Sequence, residues 1–290
     1  MKEAKTWVML SPTIIVLGVF FIGALIYSVL LSLNAFSITS NSSISLQAYA
    51  DVLGDKHFVE SLLFSLKIAA VSTLISIVLA IIVSMVLRKT FVGKRIAVFV
   101  YQFNIPVPHL VVAVSVLLML SQTGLISRLF YQAGTLSGPS SFPLIVFDQN
   151  GIGIIVAFVL KSFPFIGIAV LSLLVTTTGD YEQQAATLGA NAWQRFRHVL
   201  LPMMTPSITF SSILVFAYAF GSFEVPFLLG STSPKALALL AYQDYTSVDL
   251  NTRPEAMAIA NIITLIMAVV VILAYRRLDA VNKRGEAGHA

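Results

Sequence analysis

Four ionisable side chains stand inside long apolar stretches of this sequence: Lys67, His109, Lys161 and Glu224. A charge in hydrocarbon is costly, so each needs a partner, water or a route to the interface. The set does not form a catalytic group. There is no paired carboxylate, no H-E-x-x-H helix and no serine–histidine pair at an evident spacing, which argues against an intramembrane enzyme. The chain has no cysteine, which removes disulfides, thiolate metal sites and iron–sulfur chemistry. What such residues can still do is pair, gate and line a polar path.

Their neighbours support that use. Asn104-Ile-Pro-Val-Pro108 precedes His109. Pro106 and Pro108 remove backbone donors there, so free carbonyls need protein or water partners. A kink beside a pathway and a purely structural bend are both consistent with the pattern. Lys161 lies ~15 Å inside its apolar stretch and should face the bundle interior. Lys67 lies near a span end and should snorkel. Glu224 falls in Phe220-Gly-Ser-Phe-Glu-Val-Pro226, where Gly221 and Pro226 favour a broken helix around a cavity. Phe223 then serves as an apolar plug, with Glu224, Tyr218 and Pro226 in the lining. A Glu224–Lys161 ion pair locking a resting state is the specific expectation.

The elements that hold these residues follow from composition. The 290 residues are 57% hydrophobic and only 11% charged, with mean hydropathy +0.90. Apolar runs of about 20 residues make this an all-α polytopic membrane protein. Six spans are predicted near 8–33, 62–88, 96–120, 151–177, 203–229 and 256–275, forming a single transmembrane domain over 1–290. Trp7–Leu33 is too long for a signal-peptide core, so the first span is expected to stay uncleaved. An amphipathic piece is expected around Leu125–Tyr131 and an interfacial helix over Pro234–Tyr245.

Charge orients the six spans. Lys2, Lys5, Arg88, Lys89, Lys94, Arg95, Arg195, Arg197, Arg276, Arg277, Lys283 and Arg284 fall on one side. Lys56, Arg128, Lys235 and Arg253 fall on the other, with most of the carboxylates. Twelve against four places both termini in the cytoplasm. The net charge of +5 is therefore topological and no sign of nucleic acid.

The segment 179–202, between spans four and five, is then cytoplasmic and too well built for a turn. Asp180 is a good N-cap, with Gln183 able to complete a capping box. Tyr181 to Leu188 make about two helical turns, ended by Gly189 at C′. Asn191 with Gln194 repeats the capping pattern, and Pro202 suits the first turn of the next span. Ala185, Ala186 and Gly189 make a small face, while Trp193 and Phe196 are large apolar groups. Those aromatics suit either the lipid interface or a docking surface.

Ala185, Leu188-Gly189-Ala190, Trp193, Phe196 and Val199-x-Leu201-Pro202 resemble the EAA loop of binding-protein-dependent ABC importer permeases. The six-span layout extends the similarity over nearly the whole chain. Gln183-Gln184-Ala185 stand where that family has Glu-Ala-Ala, with Glu182 one residue early. The acidic contact is thus either replaced by an amide or supplied by Glu182. The resemblance implies that Glu182, Gln183, Gln184, Ala185, Ala186, Gly189, Ala190, Trp193, Phe196 and Pro202 form a coupling helix docking on a separate cytoplasmic ATP-binding subunit. The chain itself has no P-loop motif, so ATP and Mg are expected on that partner and no cofactor here.

Further partners implied are a second permease subunit, homologous or identical, an external solute-binding protein and the lipid bilayer. The location implied is a bacterial or archaeal inner membrane. The Phe-Gly…Glu-x-Pro stretch resembles polyamine-type permeases, so a polyamine-, opine- or ion-like solute is favoured. The alternative is an ion-gradient-driven secondary transporter, which needs an embedded ion site. Glu224 is the one embedded carboxylate, and no internal repeat is evident.

Overall fold

The computed structural model describes residues 2–36, 44–89, 91–176 and 179–287, and all regular structure among them is helical. Six stretches are long and apolar enough to cross a membrane: Met9–Ser32, Lys56–Leu87, His109–Gln132, Ile152–Thr176, Ala192–Gly221 and Leu250–Arg276. The number agrees with the sequence reading, and the first and fourth spans agree closely in extent.

The first span consists of α1 (Lys2–Leu17), a π-helical turn (Gly18–Ile22) and α2 (Gly23–Ser32). A short α3 (Gln47–Gly54) leads into α4 (Lys56–Leu87). The latter starts six residues before its expected position at 62. Asp55 caps it, its carboxylate accepting the His57 N–H at 2.9 Å, so the helix begins in polar sequence ahead of its apolar run. Its 32 residues contain neither proline nor glycine.

Ser61, Ser65, Ala69, Ser72, Ser76, Ala80 and Ser84 of α4 are all buried. Spacings of three and four put them on one face. Between spans there is no hydrophobic drive in lipid, so small faces that permit close backbone approach are what packs. This face packs on α8 (Ile152–Thr176), the most deeply buried of the six stretches. Ser84 Oγ donates to the Gly167 carbonyl at 2.9 Å. A Cβ on Gly167 would strike the ring of Tyr101, whose hydroxyl donates to the Phe163 carbonyl at 2.9 Å.

Two spans are broken, at the places that Pro106–Pro108 and Gly221–Pro226 mark in the sequence. The third divides into α5 (Lys94–Phe103) and α6 (His109–Leu120), separated by Asn104–Pro108, and α7 (Leu125–Gln132) follows α6. At twelve residues, α6 alone is ~18 Å long, well short of a hydrocarbon core of ~30 Å. The fifth span begins earlier than 203. It runs from α10 (Ala192–Arg195) through a π turn (Phe196–Leu200) into α11 (Leu201–Gly221) as one helix. The π turn ends two residues before Pro202, which has no N–H to give an α-helical ladder. This span ends at Gly221, and α12 (Glu224–Leu229) is a separate turn.

The helix expected over Pro234–Tyr245 appears as α13 (Leu237–Thr246), and part of its apolar side meets protein. Leu237 and Leu239 are buried, and the Leu237 N–H donates to Ser65 Oγ at 2.7 Å. Sequence periodicity shows one apolar face and cannot tell lipid from protein as its partner. The last helix, α14 (Arg253–Ala287), continues past the predicted end of the sixth span at 275.

The first span is almost wholly exposed on its apolar surface, and polar pins hold it. Ser28 Oγ donates to Asn261 Oδ1 at 2.8 Å. Asn261 Nδ2 donates to Ser32 Oγ and to the Tyr49 hydroxyl, each at 3.0 Å, and those two hydroxyls lie 2.8 Å apart. Each interhelical hydrogen bond in a membrane is worth roughly 0.6 kcal/mol. Asn261→Leu removes three of them and leaves Ser32 and Tyr49 paired only with each other across the helices, so we expect it to lower stability by about 2 kcal/mol. Thermal unfolding of the detergent-solubilised protein checks this; a melting point equal to wild type refutes the pinning role.

Candidate functional site

Two groups of residues marked in the sequence lie at different levels of the bundle. The segment 179–202 sits at the end where α4 and α8 terminate, and the broken helices lie away from it.

At the first place, α9 (Gly179–Thr187) begins at Gly179, so Asp180 is a first-turn residue and not the expected N-cap. Its carboxylate still suits the positive end of the helix dipole. The other end is as read. Gly189 has φ +84, its N–H donates to the Ala186 carbonyl, and the Ala190 N–H donates to the Ala185 carbonyl, both at 3.0 Å. This is a Schellman ending. Asn191 and Gln194 form the expected capping box, each side chain bonding the other's backbone N–H at 2.9 Å.

Glu182 does not point outward. Arg88, at the end of α4, donates both guanidinium arms to its carboxylate at 2.5 and 3.1 Å. The two side chains are only 17% and 20% exposed. Hydrogen bonding from Arg88 holds the Glu182 carboxyl below the usual glutamate range against the opposing effect of burial, with Arg195 and Lys89 adding to the pull. Gln183, Gln184 and Ala186 are exposed instead.

Phe196 is half-buried against the core around Met204, and Trp193 lies beside it with ring centroids 5.7 Å apart. Trp193 remains 65% exposed and Leu188 88%. Tyr181, Gln184, Ala185, Leu188, His198 and Pro202 border a groove of about 520 Å³ between α9 and the start of the fifth span. The sequence reading missed Arg88 as a partner and gave Leu188 no separate weight. An apolar residue directly before a C′ glycine was the available signal for Leu188.

The second place is the break in the third span. Lys161 Nζ donates to the carbonyls of Asn104 (2.9 Å), Ile105 (2.6 Å) and Val107. Asn104 Nδ2 donates back to the Leu160 carbonyl at 2.7 Å. An ammonium has three donors, and all three are used. The expected Lys161–Glu224 ion pair is absent among the described residues. Carbonyls freed by Pro106 and Pro108 have taken the lysine in its place.

Beside the break, His109 stacks on Tyr218 of α11 with centroids 3.9 Å apart, and Phe158 meets Tyr218 edge-on at 6.2 Å. Ile105, Val107, His109, Lys161 and Tyr218 line a cavity of about 400 Å³. Glu224 is exposed at the start of α12, while Pro226 is buried. Phe223, the second of two residues between α11 and α12, stacks on Tyr242 of α13 at 4.6 Å. Nothing in the sequence marks Tyr242 beyond its aromatic ring.

Comparison with known proteins adds to this geometry. Residues 76–284 match the family model described as "Binding-protein-dependent transport system inner membrane component". The sulfate transport system permease protein CysW of Synechococcus elongatus is 26% identical over 258 residues, covering 84% of this chain and 87% of its own. The molybdenum transport system permease protein ModB of Escherichia coli K12 is 26% identical over 226 residues, covering 77% and 94%. A chain in the crystal structure of a bacterial alginate ABC transporter, in complex with an alginate pentasaccharide-bound periplasmic protein, superposes with TM-score 0.77 at 17% identity. That superposition covers 94% of this chain and 93% of the other.

Two predictions follow from the geometry of these sites. Lys161→Met leaves three carbonyls without their common partner, at about 1–3 kcal/mol for an unmet group, so unfolding in denaturant should shift by at least ~2 kcal/mol. A shift below a few tenths shows that water serves those carbonyls equally well. For Glu182, the folded pKa is depressed below the ordinary value of 4.5. Its contribution is therefore present above that ordinary value and lost as pH falls through the depressed one. The stability gap between wild type and Glu182→Gln should stay constant from pH 8 to about 5 and close only in stronger acid.

Proposed function

The chain belongs to the family of binding-protein-dependent transport system inner membrane components, and from that premise we propose how it takes up energy and solute. It is a multi-pass permease subunit of an ABC importer, with ATP hydrolysis residing on a separate subunit. In our reading residues 179–202 are the coupling segment, lying in the cytoplasm with both termini. The observation that carries this is a pair of exposed apolar residues on either side of the Schellman turn: Leu188 at the end of α9, bordering a groove, and Trp193 on α10. Rigid, capped and partnerless apolar surface in a polar connection suits docking to a protein.

The coupling surface in this proposal consists of Gln183, Gln184, Ala185, Ala186, Gly189, Ala190 and Trp193, together with Leu188. Phe196 supports it from within. A pair of cytoplasmic ATPase subunits supplies ATP and Mg, a second permease chain completes the pathway and an external solute-binding protein delivers cargo to a bacterial or archaeal plasma membrane. Residues 1–290 act as one permease domain. The cavity beside Lys161, His109 and Tyr218 and the Phe223–Glu224 break lie along the path.

For the solute we favour a small charged species within the polyamine-, opine- or ion-like range. Support comes from the Phe220–Pro226 stretch and from relatives named for sulfate and molybdenum transport. A ligand screen on the cognate binding protein tests it, and selective binding of a neutral sugar overturns it.

Gly189→Asp tests the coupling segment. A Cβ there meets open space, so the penalty is the left-handed φ, ~1–2 kcal/mol, placed where the partner should dock. Uptake by the variant in energised vesicles should fall at least tenfold with membrane levels unchanged. Wild-type uptake should stop on ATP depletion and survive an uncoupler. Normal uptake by well-expressed Gly189→Asp refutes the docking assignment.

A further inference from the structure

We propose that Arg88 is a positioning residue, and that its pairing with Glu182 makes α9 and α4 move as one body during transport. This rests on the reading of 179–202 as the coupling segment. Among the described residues, Arg88–Glu182 is the ion pair that joins two separate helices; the other two lie within the first turn of α4. Ninety-four residues separate its members. The contact is bidentate, so it fixes orientation as well as distance. Arg88 is also the C-cap of α4 and continues its helical backbone at φ −66, ψ −26. Its own carbonyl accepts from Lys94 Nζ at 3.4 Å.

The helix it terminates suits the task. Without proline or glycine, α4 lacks the two residue types that most often kink a helix. Ser65 lies 23 residues before Arg88, or ~35 Å along the axis. Its hydroxyl accepts the first N–H of α13, in a buried contact of 2.7 Å. Tyr242 of α13 stacks on Phe223 at the break in the fifth span. One rigid rod therefore touches the coupling helix at one end and the helix against the Phe223 break at the other. Glu182 faces the rod, so its carboxylate acts through Arg88 and not on the ATPase.

The test uses the complete transporter reconstituted in proteoliposomes, with Arg88→Glu, Glu182→Arg and the double reversal. Three readouts are taken: ATPase subunit retained on purification, ATP hydrolysed and solute moved per ATP. We expect each single variant to retain the ATPase and hydrolyse ATP while moving at least tenfold less solute per ATP. The double reversal should recover to within about threefold of wild type. Normal coupling in both single variants overturns the proposal. So does loss of the ATPase by Glu182→Arg alone, which makes Glu182 a direct contact. Failure of the double reversal to recover, with the complex intact, does the same.

If the reversals do not reach the membrane, Arg88→Gln and Glu182→Gln replace them. Equal losses in both singles and in the double support the clamp, and additive losses refute it. A wild-type chain that never retains an ATPase subunit fails the importer reading itself, separately from the clamp.

Discussion

The structure depends most on how the backbone is served where a span breaks. In hydrocarbon an unmet carbonyl has no water to turn to, so a broken helix persists only where protein completes it. At Asn104–Pro108 the completion is one ammonium group, Lys161, reaching three carbonyls from the adjacent α8. The Asn104 amide returns a bond to that helix. With the break braced, α6 starts at His109 and brings that ring onto Tyr218, and the cavity between α8, α11 and the break opens. A lysine that looks like a pathway charge in sequence is thus the strut of the cavity wall. The break at Ser222–Phe223 is handled locally, since Phe227 and Gly230 donate to the Phe223 and Pro226 carbonyls, both at 2.9 Å.

Legibility followed the distance over which each interaction acts. The Gly189 ending and the Asn191–Gln194 box involve residues one turn apart, and both were readable as written. Six apolar stretches were equally plain, because hydropathy is a property of the segment alone. Asp180 stands within the first turn of α9 and not before it, because a good N-cap type also suits that turn. Pro106 and Pro108 announced a disturbance, but its partner lies some 55 residues away. Arg88–Glu182, Tyr242–Phe223 and the Asn261 pins join residues whose relation no local pattern records. The serine and alanine face of α4 was visible at regular spacing and went unread. Small residues inside an apolar run carry no charge to draw notice.

The inward turn of Glu182 alters how the departure from Glu-Ala-Ala is understood. The sequence alone leaves open whether an amide or a displaced carboxylate makes the acidic contact. The carboxylate is occupied within the chain, and the amides of Gln183 and Gln184 are what the helix exposes beside Leu188 and Trp193. Two neighbouring differences, an amide at one position and an acid one residue early, thus point to different sides of one helix, the acid inward and the amide outward.

The pins on the first span also have a temporal side. Ser28 and Asn261 are 233 residues apart, and a ribosome adding 5–20 residues per second needs on the order of 10–50 s to cover that interval. During that time the hydroxyls of the earliest helix wait in the bilayer for an amide not yet made. The first span is fastened only when the final helix arrives. A chain halted before residue 261 leaves its first helix without these pins.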